Sequence, residues 1–140
     1  MREIKFRVWD KGFMDEDVLV DSRGAFGDPE KHYNTPNIEI EPYSENAVIM
    51  QYTGLKDKND KEVYEADVIE YQGYPTNPDY RERRLVKWVK GGFIIKHIWS
   101  NDKMPHESEY MMQLWYATIP ERYVVIGNIY QTPELLQNLK

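Results

Sequence analysis

Polar and apolar residues alternate in short bursts along this chain, and the bursts read as strands. Ile4-Lys5-Phe6-Arg7-Val8-Trp9 alternates with a period of two and puts Ile4, Phe6 and Val8 on one face. Asp10-Lys11-Gly12 reads as a turn and Asp17-Val18-Leu19-Val20 as a second strand. Residues 21–37 hold Gly24, Gly27, Pro29, Asn34, Pro36 and Asn37 without an apolar period, so a long loop is expected there. Residues 37–41 and 47–52 are further strand candidates. From Thr53 the chain is expected to turn at Gly54, with residues 56–60 as an exposed tip. Val63-Tyr64 and residues 67–71 then form a strand pair or one bent strand, and residues 73–79 a loop.

The clearest hairpin joins residues 85–90 to 93–99 through Gly91-Gly92, glycines that supply the positive φ of a two-residue primed turn. A turn at that pair sets Trp88 opposite Ile95 and Lys87 opposite Lys96. Val86, Trp88, Phe93, Ile95 and Trp99 then share one face, where Trp88 is expected to be buried. Leu85, Val89, Ile94 and Ile98 surround the two lysines on the other. Like charges directly opposed across strands cost about 0.2–1 kcal/mol unless something answers them. Residues 109–117 fit a helix or a strand, with strand preferred, and residues 122–126 make a last strand. Thr132-Pro133-Glu134 opens a short helix carrying Leu135, Leu136 and Leu139.

These elements predict a mainly β protein, with α+β also open: a small, partly open barrel or two packed antiparallel sheets with a short C-terminal helix. One domain over residues 1–140 is expected, within which an N-terminal β-module of 1–52 and a barrel-like part of 53–140 are distinguishable. At 140 residues with 41% hydrophobic and 30% charged side chains, the chain has the balance of a globular domain. It has no cysteine, which excludes disulfides, thiolate metal sites and cysteine nucleophiles. The longest apolar runs fall far short of the ~20 residues of a membrane helix, and the first residues show no signal-peptide core. A cytosolic protein without membrane contact is expected.

The formal charge of −6 conceals an asymmetry. Residues 10–70 hold 16 acidic and 6 basic side chains, a net of −10, and residues 80–103 hold 7 basic and 2 acidic, a net of +5. Such polarity suits docking of one copy on another, or local binding of a polyanion. The candidate partner- or polyanion-binding stripe is Arg81, Arg83, Arg84, Lys87, Trp88, Lys96 and Trp99.

Motifs for other chemistry fail on inspection. Asp57-Lys58-Asn59-Asp60 opens like a calcium loop, but Lys61 stands at the fifth position, Glu62 at the sixth and Val68 at the twelfth. His106-Glu107-Ser108-Glu109-Tyr110 begins like a zinc-protease motif with Tyr110 in place of the second histidine. A three-histidine site would need His32, His97 and His106 to converge. No serine among Ser22, Ser44, Ser100 and Ser108 sits in a glycine-flanked elbow, and Gly91-Gly92 lacks the residues of a phosphate loop. No catalytic residue, metal or cofactor is expected.

Three stretches resemble the YopX family, small proteins encoded by bacteriophages and prophages. They are residues 1–10, residues 50–59 running on through Val63-Tyr64-Glu65-Ala66-Asp67-Val68-Ile69, and Val125-Ile126-Gly127-Asn128-Ile129-Tyr130 with Pro133-Glu134-Leu135-Leu136. They stand in the family's order. The family usually has glycine where this chain has Asp60 and Ala66. Asp60 can occupy a left-handed turn conformation at some cost, whereas Ala66 is expected at ordinary negative φ. The resemblance brings no reaction, substrate or catalytic residue. It implies a phage or prophage accessory protein in the bacterial host cytosol, expected to be non-catalytic and to act by self-assembly or by binding a phage or host protein. The alternative is a single-stranded nucleic-acid binder using residues 81–99.

Overall fold

The computed structural model describes residues 3–21, 24–27, 43–74, 76–89, 92–98, 109–111 and 118–136. The chain divides into two compact units, residues 1–52 and 53–140.

In the first unit, β1 (Phe6–Asp10) pairs antiparallel with β2 (Phe13–Asp15) on one side. On the other it pairs with the start of β5 (Val48–Lys56), with Phe6 opposite Gln51 and Trp9 opposite Val48. Lys11 and Gly12 join β1 to β2 with φ of 50° and 83°. Two positive φ values define the primed turn whose twist matches that of the strands. The alternation expected in β1 holds for Val8, which is buried, but Ile4 is exposed and Arg7 on the opposite face is buried as well. β3 (Val18–Asp21) pairs with β4 (Gly24–Gly27), so part of the expected 21–37 loop is a strand. The strand expected at 37–41 lies outside the described residues. Ser44 donates its N–H (2.9 Å) and its hydroxyl to Asp10, and the Tyr43 hydroxyl donates to Asp15.

In the second unit β5 does not turn at Thr53; it runs on through Gly54, at φ 85°, to Lys56. The Thr53 hydroxyl makes this possible by accepting the Leu55 N–H (3.2 Å) while donating to the Val63 carbonyl (2.7 Å) of β6 (Glu62–Tyr64). Beyond it lies a five-stranded antiparallel half-barrel of order β10-β9-β8-β7-β11. Its strands are β7 (Asp67–Tyr74), β8 (Asn77–Val89), β9 (Gly92–Ile98), β10 (Glu109–Met111) and β11 (Tyr123–Asn128). Residues 73–79, expected as loop, are mostly strand, with Tyr74 opposite Asn77. The chain manages this with a bulge at Gly73, whose φ of 71° and whose approach to the Pro78 carbonyl (2.7 Å from where a Cβ would stand) both exclude a side chain.

The inner face of the half-barrel carries Ile69, Tyr71, Val86, Phe93, Ile95, Tyr123 and Val125, which form one buried core with Val63 and Ile119. Ile119 comes from α1 (Thr118–Arg122), a helix that tolerates Pro120 because it falls in the first turn. The expected C-terminal helix is a four-residue 3-10 turn, Pro133–Leu136, and residues 137–140 lie outside the described residues. The Thr132 hydroxyl, expected to cap that helix, instead donates back to the Asn128 carbonyl (3.0 Å) and accepts the Asn128 N–H (3.2 Å). The protein is mainly β, and of residues 109–117 the described part is strand. No helix among the described residues is long and apolar enough to cross a membrane.

Candidate functional site

The β8–β9 hairpin carries most of the predicted stripe, in a register that differs from the expected one. Trp88 faces Phe93, Val86 faces Ile95, Lys87 faces Ile94 and Leu85 faces Lys96. The pair nearest the connection is Val89–Gly92, so each cross-strand partner differs by two residues from that set by a turn at 91–92. Packing decides the register: it joins Val86 to Ile95 in the core and sets the Trp88 ring edge-on to Phe93 at 4.8 Å. Lys87 and Lys96 are therefore not directly opposed, and the expected like-charge clash is absent. Trp88 is also not buried, being 44% exposed at the end of the inner face.

The structure splits the stripe between two faces. Residues an even number apart in β8 share a face, so Arg84 and Trp88 lie inward with Val86, while Arg81, Arg83 and Lys87 lie outward. Lys96, opposite Leu85, joins the outward set. Trp99 lies outside the described residues.

Each arginine has an acidic partner that the sequence pattern did not single out. Arg84 is buried against Glu82, whose second oxygen accepts the Tyr80 hydroxyl at 3.0 Å. Tyr71 packs edge-on against Tyr80 and Tyr123, at 6.4 and 5.3 Å between ring centres. Arg83 donates from Nε to Glu70 at 3.1 Å, and Arg81 Nε stands 3.7 Å from the other Glu70 oxygen. Arg81 also donates to the carbonyls of Pro78 and Tyr80. Glu70 could have been found as the one charged residue inside Asp67-Val68-Ile69-Glu70-Tyr71, and Glu82 as the acid within the arginine run. On the outward face Lys96 stands opposite Glu109 of β10, and Lys87 is flanked by Leu85 and Val89 on its own strand.

The calcium-like tip is a turn organised by one carboxylate. Asp57 is only 4% exposed and accepts the Asn59 and Lys61 N–H groups on Oδ1, at 2.8 and 2.9 Å. Its Oδ2 accepts the Val125 N–H of β11 at 2.8 Å, and the Lys58 N–H donates to the Tyr123 carbonyl at 2.9 Å. Asp60 completes the turn at φ 66°, the left-handed conformation expected of it. Among the described residues no group of His, Asp or Glu is arranged to hold a metal ion. His32 and His106 lie outside them.

Ala66 corrects an expectation: its φ is 72°, in the left-handed region. That conformation costs an alanine roughly 1–2 kcal/mol. It is held because the Ala66 N–H donates to the Val86 carbonyl (2.8 Å) and its own carbonyl accepts the Ile129 N–H (3.1 Å). The adjacent Asp67 carboxylate, buried, accepts the Tyr64 N–H at 2.8 Å and closes the turn. Close by in the chain's end, Asn128 Oδ1 accepts the N–H groups of Tyr130 (3.1 Å) and Gln131 (2.9 Å). Gly127 leaves no room for a Cβ, which would stand 2.2 Å from Thr132 Oγ1.

The polar motif residues of this mainly β chain thus bind its own backbone, and Arg81, Arg83, Lys87 and Lys96 share one sheet face with Glu70 and Glu109. The chain belongs to the YopX family: the family model described as YopX protein matches residues 5–137. Among solved structures the chain is similar to protein EF1440 from Enterococcus faecalis, with 27% identity and a TM-score of 0.56. That likeness covers 97% of this chain and 99% of the other. No match was found among curated proteins.

Proposed function

We propose that the protein acts by binding rather than by catalysis, that its partner is another copy of itself, and that the outward face of β8–β9 is the contact. The observation that carries this reading is the segregation of Arg81, Arg83, Lys87 and Lys96 on one sheet face in a chain whose residues 10–70 are strongly acidic. The motif carboxylates support it too, since Asp57 and Asp67 are occupied by backbone N–H groups and so serve the fold. In the setting the family suggests, this is a phage or prophage accessory protein working in the host cytosol, alone or with a phage or host protein. Light scattering after size exclusion tests it at roughly 100 μM protein, in low and in high salt. An assembly at low salt that salt dissociates is expected, because surface charges are screened within about 10 Å at 0.1 M. A species of 16.8 kDa at both salt concentrations overturns it.

The exposed Trp88 favours a second reading, in which the hairpin stacks bases of a single strand while the cations follow its phosphates. The split of Trp88 from Arg81, Arg83, Lys87 and Lys96 onto opposite faces weighs against it. Four phosphate contacts would give a slope near −3 in log affinity against log salt. Titration of Trp fluorescence with a short oligonucleotide is expected to show no such binding tighter than about 10 μM at physiological salt.

A further inference from the structure

Phe13 is 77% exposed, the most exposed of the large apolar side chains described. It is not on a loose loop: it is the first residue after the primed turn at Lys11-Gly12, directly opposite Asp10 across the β1–β2 ladder. Asp15, two residues on, projects from the same sheet face. Both carboxylates are held in place, Asp10 by Ser44 and Asp15 by Tyr43. The result is an exposed phenyl ring on a tight turn, bracketed by two hydrogen-bonded carboxylates. An aromatic anchor inside a polar collar is the usual centre of a protein contact, and a backbone already ordered by a tight turn loses little entropy on docking.

The outward face of the β8–β9 hairpin has the complementary pattern. Leu85 and Val89 flank Lys87 on β8, Ile94 stands opposite Lys87, and Lys96 stands opposite Leu85. Leu85 and Val89 are half-buried on either side of Lys87, while Ile94 is buried and Lys96 also stands opposite Glu109 of β10. Resting on the self-association reading above, we infer that Phe13 of one copy seats between Leu85 and Val89 of a second copy, with Asp10 and Asp15 against Lys87. The contact joins two different surfaces, so each chain offers both a knob and a seat. Two chains can close it reciprocally, or several can extend it head to tail.

Sedimentation equilibrium of the full chain, with Phe13→Ala and Lys87→Glu as variants, tests the assignment. Each variant is expected to weaken self-association at least tenfold while its melting temperature matches that of the unaltered protein. Lys87→Gln replaces Lys87→Glu should the latter melt early. An equimolar mixture of Phe13→Ala and Lys87→Glu chains is expected to recover association, because the knob of the second still meets the intact seat of the first. A contact between identical patches gives no such recovery. If the unaltered protein is monomeric, the self-association reading itself fails and this inference with it. If it associates and Phe13→Ala associates equally well, or if the mixture shows no recovery, the knob-and-seat assignment alone is overturned.

Discussion

Replacing Asp57 with alanine removes one buried carboxylate and leaves three backbone N–H groups without their acceptor. Hydrogen bonds to a charged acceptor contribute roughly 1.5–3 kcal/mol when the donor has no other recourse. Asn59 and Lys61 lie on an exposed turn, so water can take over there and the loss is about 0.5–1 kcal/mol each. Val125 is buried in β11, and its stranded N–H carries a penalty of about 1–3 kcal/mol. The sum is about 2–5 kcal/mol, a large share of the ~5–15 kcal/mol that holds a domain together. With a urea m-value near 2 kcal/mol/M, the unfolding midpoint should fall by roughly 1–2.5 M. Asp57→Asn sharpens the test, because its carbonyl can still serve Asn59 and Lys61 while its amide meets the Val125 N–H donor to donor. The asparagine variant should therefore lose about 1–3 kcal/mol, less than the alanine variant. A midpoint for Asp57→Ala within about 0.3 M of the unaltered protein would refute the role assigned to this carboxylate.

Ala66→Gly should raise the melting temperature, by the equivalent of about 0.5–1 kcal/mol, since glycine takes φ of 72° without the alanine penalty and forfeits only one buried methyl. A lower melting temperature by calorimetry would mean that the methyl outweighs the strain. The Asp10 carboxyl is held below its ordinary value by the Ser44 hydroxyl, then the Ser44 N–H, with Lys11 adding to it against a smaller opposing effect of burial. Its folded pKa thus lies below its unfolded one, so its contribution is present above the ordinary value of 3.8 and is lost as pH falls through the folded value. Ser44→Ala should flatten that acid-side loss in melting curves taken between about pH 2.5 and 6; parallel profiles for the two proteins would contradict it.

Where the fold was legible, a local pattern was sufficient. Alternation over residues 4–9, the compact apolar run at 47–52, the turn at Lys11-Gly12 and the hairpin after Leu85 all follow from spacing and turn chemistry. Where it was not, distant atoms made the choice. Gly91-Gly92 reads as the turn, yet the side chains of Val86, Trp88, Phe93 and Ile95 fix a register in which each partner is two residues from the one that turn gives. Ala66 adopts a conformation that alanine avoids because Val86 and Ile129 grip the peptides on both sides of it. Gly73 and Gly54 read as loop residues but act as irregularities within strands. The stripe was visible as composition and invisible as two faces, because its division depends on which residues of β8 point at the core. Glu82 is visible within the arginine run itself, whereas the pairing of Glu70 with Arg83 and Arg81 shows only when β7 and β8 are set side by side.

Tyr123-Val124-Val125-Ile126 is the most β-prone uncharged run in β11, and such segments pair readily with foreign strands when left open. In the finished fold the Asp57 carboxylate and the Lys58 N–H occupy Val125 N and Tyr123 O on the margin of β11. Synthesis runs from the amino end, so the Asp57 turn leaves the ribosome 68 residues ahead of Val125. The residues that cap this edge are thus synthesised before the edge they cap, and the capping charge stands in space where a gatekeeper would stand in flanking sequence.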